Sequence, residues 1–102
     1  MGKIIVFRNE DIKRVLIGIP KGHKHVRAII ETEKDCILIF QEATIANLCR
    51  AYMTILTHPI IEAIELKKTL VTKRKKNFAE YQLLESGKDP IEVSKEINEY
   101  IK

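Results

Sequence analysis

Two groups of side chains in this sequence could do chemistry. The first is the stretch Gly18-Ile19-Pro20-Lys21-Gly22-His23-Lys24-His25, which holds a proline, two glycines, two lysines and two of the three histidines. His23 and His25 lie two apart, so on a strand both imidazoles face the same way. A metal site there would need a further donor such as His58, Cys36 or Glu31, and no Cys or carboxylate stands at a familiar ligand spacing. A phosphate cradle would need G-x-x-x-x-G-K-[ST], whereas Gly22 is followed by His23 and no Ser or Thr. The expectation is a turn at Pro20-Lys21-Gly22 leading into a solvated sheet edge, with no structural metal on the histidines.

The second group is the run Lys67, Lys68, Lys73, Arg74, Lys75 and Lys76, with no acid between Glu65 and Glu80. Such a basic turn can contact phosphates and release their counterions. It can equally be a solvated loop that keeps the domain soluble. Lys21, Lys24 and Arg27 would reinforce a nucleic-acid reading if folding brings the two edges together. A third candidate is Arg50 with Asn47, on a polar stripe with Thr54 and Thr57, where a guanidinium could take a small anionic ligand. Such a stripe is more often a solvent face, or Arg50 pairs with Glu42 or Glu62. Nothing nominates itself for catalysis. The serines, Ser86 and Ser94, sit late in the chain, neither cysteine has an activating histidine nearby, and four glycines cannot build a nucleotide fingerprint. No cofactor is expected.

The elements that must position these groups read as follows. Residues 3–7, KIIVF, are a β-branched apolar run and suggest a strand. Residues 10–18 fit a helix capped by Asn9 and closed by Gly18, with Ile12, Val15, Leu16 and Ile19 on one face. A rival reading makes 14–19 a strand paired with 25–30 through the Pro20-Lys21-Gly22 turn. Val26, Ala28 and Ile30 alternate with His25, Arg27 and Glu31, and a polar turn leads into CILIF, which predicts a β-hairpin. Residues 43–57 predict a helix with Ile45, Leu48, Cys49, Tyr52, Met53 and Leu56 as its buried stripe, ended by Pro59 with His58 beside the helix terminus. Residues 60–70 predict a strand. Residues 72–86 read as either helix or strand. Asp89, Pro90 and Glu92 announce a last helix with Val93, Ile97, Tyr100 and Ile101 inward.

This order, β-α-β-β-α-β plus an extension, predicts a ferredoxin-like α+β two-layer sandwich. The alternative is an Alba-like or other α/β two-layer fold. The continuous apolar runs 4–7 and 36–40 should be central, and the charged strands 25–31 and 61–68 should be edges. The run from residue 43 to 85, an apolar helix ending near a proline followed by a hairpin with a basic tip, resembles the second half of Alba-type nucleic-acid-binding domains. That resemblance implies nucleic acid as the partner. The chain departs from the family in FQEATIAN, where Glu42 stands in a basic residue's place, and in the doubled strand at 25–40. An RNA-recognition motif would need an aromatic-rich third strand, and only Phe7 and Phe40 are available.

The totals agree with a single domain of 102 residues, a core at 1–71 and a C-terminal extension at 72–102. The net charge of +4 is mild, and the halves differ little: nine Lys and Arg against six acids up to residue 51, nine against eight beyond it. Any basic signal is therefore local. Cys36 and Cys49 lie in apolar surroundings and read as reduced core residues of a cytoplasmic protein. No run approaches a membrane span, and no secretory signal is recognisable. The Ile- and Lys-rich, Trp-free composition resembles that of thermophile proteins. RNA or DNA and a second copy of the chain, with helix 90–101 at or near a two-fold interface, are the expected partners.

Overall fold

The computed structural model describes residues 2–72 and 79–101. The chain divides into two compact units, residues 1–42 and 43–102. The division expected between 71 and 72 falls inside the second unit. The element order is strand-strand-strand-helix-strand-strand-helix, an α+β chain with two antiparallel sheets. The ferredoxin-like β-α-β-β-α-β order is not the one observed.

The first unit is a meander of β1 (Ile12–Gly18), β2 (Arg27–Thr32) and β3 (Ile37–Gln41), paired in that order. The helix expected over 10–18 is the strand of the rival reading. Asn9–Asp11 form a single 3-10 turn, and the chain then pairs with β2, Val15 opposite Ile30 and Ile17 opposite Ala28. Ile12, Val15 and Ile17 are β-branched and favour a pleated surface over a helix. Gly18 is not a left-handed cap either, since the described glycines with positive φ are Gly22 and Gly87.

Residues 3–7 form no strand. They pass the β2–β3 turn, where Lys34 Nζ donates to the Val6 carbonyl at 2.9 Å and lies 5.6 Å from the Phe7 ring centre. The expected assignment of central and edge strands is also reversed. The charged strand β2 is central and holds the buried Ala28 and Thr32, while β3 is outer and β1 is exposed beyond Ile12. The charges of β2 are tolerated because they are met. Glu31 accepts from Arg14 of β1 at 2.9 Å, and Arg27 Nη1 donates to the carbonyls of Val26 and His25 at 3.2 and 3.4 Å. The β2–β3 turn closes with Thr32 Oγ1 donating to the Cys36 carbonyl at 2.7 Å and Asp35 at φ 54°, a conformation Asp accepts more readily than most residues.

The second unit holds α1 (Glu42–Thr57), whose first residue belongs to the first unit, then β4 (Leu66–Leu70), β5 (Tyr81–Glu85) and α2 (Pro90–Tyr100). The strand expected from residue 60 begins only at Leu66. The ambiguous stretch 72–86 contains a strand at its end, and residues 73–78 lie outside the described residues. After α1, His58 acts as an acceptor rather than as a cation for the helix end: its Nδ1 takes the N–H groups of Ile60 and Ile61 at 3.1 and 2.9 Å. Asp89 Oδ1 accepts from Ile91 N at 2.9 Å, so the expected cap of α2 is in place.

α1 is turned the opposite way from expectation. Its buried residue is Asn47, and Ala51 and Thr54 lie half-buried on the same side. Leu48, Tyr52, Met53 and Leu56, expected inside, are exposed. The reason is a polar anchor. Asn47 Nδ2 donates to Gln82 Oε1 of β5 at 3.0 Å, which commits the polar side of the helix to the hairpin. In α2 only Val93 of the expected stripe is buried; Ile97, Tyr100 and Ile101 are exposed. Cys49 is exposed as well, not a core thiol. No helix of the described residues is long and apolar enough to cross a membrane.

Candidate nucleic-acid interface

Lys67 and Lys68 follow one another on β4, so they project from opposite faces of the β4–β5 ribbon. Both are exposed. Lys68 stands opposite Leu83 in the register, and Leu70 opposite Tyr81, which places these four on one face. The Lys68 ammonium lies 5.5 Å from the centre of the Tyr81 ring, and that ring is 53% exposed. A cation beside an open aromatic face is an arrangement that suits a stacked base and its phosphate. The sequence reading missed Tyr81. Only the pairing of β5 with β4 brings it to Lys68. Lys73, Arg74, Lys75 and Lys76, the rest of the expected basic turn, lie outside the described residues.

The first unit carries the second basic cluster. His23 N donates to the Pro20 carbonyl at 3.0 Å, which makes Pro20–His23 a turn, and Gly22 takes its third position at φ 81°. Lys21 and Lys24 are exposed at this tip. Arg27 is half-buried and folded onto the loop carbonyls, so it is a strut of the loop rather than a free phosphate ligand.

Some of the cations are paired within the chain. Arg8 is set against Glu10 and Asp11, Arg14 against Glu31, Lys34 against Asp11, and Lys88 against Glu96. Among the described residues, Lys21, Lys24, Lys67 and Lys68 form no ion pair. Their charge remains available to an outside anion.

The histidines have other uses. His25 Nδ1 donates to Glu42 Oε2 at 2.8 Å, and the Val26 N–H donates to Glu42 Oε1 at 3.3 Å. The Val26 amide, then the His25 ring, hold the Glu42 carboxyl below the usual glutamate range, with Arg27 adding a smaller effect. Glu42 therefore clamps the end of the β1–β2 loop to the residue that follows β3, a contact between residues 17 apart that no motif announces. Among the described residues, no three His, Cys, Asp or Glu side chains converge as a metal site would require.

The Arg50 and Asn47 pair is drawn together, but not as an open pocket. Arg50 Nη1 donates to Asn47 Oδ1 at 3.2 Å while the Asn47 amide bonds Gln82. Asn47 is 4% exposed, so its polar atoms are spent on fixing α1 to β5. Arg50 pairs with neither Glu42 nor Glu62. No family model, curated protein or solved structure matches the chain.

Proposed function

We propose that this is a small nucleic-acid-binding protein that contacts RNA or DNA through the β4–β5 hairpin. The observation that carries the reading is the pair Lys68 and Tyr81, an exposed, unpaired ammonium 5.5 Å from the centre of an open aromatic ring, with Lys67 exposed on the other face of the ribbon. In the sequence β4 leads directly into four more cations, Lys73 to Lys76. Lys21 and Lys24, on the first unit, are further exposed cations without an ion pair. The resemblance of residues 43–85 to Alba-type domains points the same way. In this reading the protein works in a reducing cytoplasm, where Cys36 and Cys49 stay thiols.

Fluorescence anisotropy with single-stranded RNA and with duplex DNA, at low and physiological salt, tests it. Affinity should fall steeply as salt rises. Lys67→Glu with Lys68→Glu should reduce binding to any sequence, and Tyr81→Ala should weaken single strands more than duplex. If neither nucleic acid binds at low salt, the reading is finished. A second reading, a protein-interaction module without nucleic acid, is favoured by one observation, the exposed apolar side of α1. The other form of that reading, a small anionic ligand on Arg50 and Asn47, loses support because Asn47 is 4% exposed and its amide already bonds Gln82 and Arg50.

A further inference from the structure

Leu48, Tyr52, Ile55 and Leu56 fall at i, i+4, i+7 and i+8 of α1, which is one face of a helix. Leu48 is 53%, Tyr52 62% and Leu56 62% exposed, and Met53 and Cys49 extend the stripe on one side. Of the two charged residues of α1, Arg50 lies off this stripe, and Glu42 lies at the helix start, two turns before Cys49 and beyond the Leu48–Leu56 segment. The helix thus turns its polar side to its own hairpin and its apolar side to water, the reverse of a helix that folds for its own sake. The second unit has little else to hide: its buried hydrophobic residues are Ala63 and Val93 among those described.

We infer that this face of α1 is the contact surface between two copies of the chain, with the stripe of one copy laid against the stripe of the other across a two-fold axis. Three arguments select a second copy as the occupant. An isologous interface needs a patch that complements itself, and an uncharged stripe does so without repulsion. The chain carries +4 overall, so charged surfaces would oppose self-association and leave the neutral one as the favoured contact. The area also fits. Five apolar side chains more than a third exposed withdraw on the order of 400 Å² per copy, about half of the roughly 800 Å² that each partner of a standard interface buries, with a polar rim to supply the rest. α2 exposes Ile97 and Tyr100 too, but Glu96 and Glu99 stand among them. The inference does not depend on nucleic-acid binding.

Sedimentation equilibrium of the full chain across the micromolar range tests it. The expected result is a dimer, and Tyr52→Glu with Leu56→Glu should weaken it by on the order of 100-fold or more. Since that variant could fail to fold, the unaltered interface is also read directly. Cys49 lies on the stripe, so a short thiol-to-thiol crosslinker should join two copies. Cys49→Ser should abolish the crosslink and Cys36→Ser should spare it. A chain that is monomeric throughout, a dimer that does not crosslink through Cys49, or one whose crosslink survives Cys49→Ser overturns the inference.

Discussion

Glu42 shows how one side chain can tie together pieces that the sequence keeps apart. Both its oxygens accept hydrogen bonds, from His25 Nδ1 and from the Val26 amide, and both bonds favour the ionised form. A carboxyl that is more acidic in the folded chain than in the unfolded one stabilises the fold above the ordinary glutamate range, and that contribution is lost as pH falls through the folded value. Asp11, held down chiefly by the Arg8 amide, and Glu31, held down chiefly by Arg14, act in the same direction. Urea midpoints should therefore fall from about pH 6 to about pH 3. Glu42→Gln should be less stable than the parent at the upper end and should converge with it at the lower. Parallel curves would show that the clamp contributes nothing. None of this was legible in the sequence, where Glu42 stood out only as an acid in an unexpected place. Asn47 is a similar case. It was singled out as a polar residue on a helix, but its burial depends on Gln82, 35 residues away.

At the scale of elements, legibility follows the range of the contacts. The hairpin β2–β3 and helix α2 were readable because alternation, turn residues and the Asp89-Pro90 start are local signals. β1 was misread because its residues satisfy both a helical face and a strand, and only β2 decides between them. The apolar stripe of α1 was correctly drawn but assigned to the wrong side. Amphipathicity tells which face is apolar, and it does not tell what covers it. The β1–β2 turn offers a clean test of the strand assignment. Gly22 sits at φ 81°, and an added Cβ would meet nothing within 4 Å, so the cost of a side chain there is backbone strain alone. Gly22→Ala should cost about 1–2 kcal/mol in urea unfolding, and Gly22→Asn less, since Asn tolerates that conformation. A neutral Gly22→Ala would argue against this turn and with it the β1–β2 pairing.

At the scale of the molecule, the described chain buries few hydrophobic side chains, Ala28, Ala63 and Val93, and leaves many large ones in water. Mixed charge and low net charge gave no hint of this, because composition counts apolar residues without saying whether one copy can enclose them. The outer strand of the meander carries a further consequence. β1 interrupts its apolar residues with Lys13 and Arg14, but β3 reads Ile37-Leu38-Ile39-Phe40-Gln41 with no charge, and Ile37 and Ile39 are 64% and 63% exposed. Among the described residues its outer edge has no strand beside it. A short, uncharged, β-branched edge with free backbone donors and acceptors is a template for fibril growth. On mild heating or partial unfolding, thioflavin-positive aggregates should start from residues 37–41. Ile39→Lys should lengthen the lag phase markedly, because a single ammonium must then be stacked against its own copy in every layer.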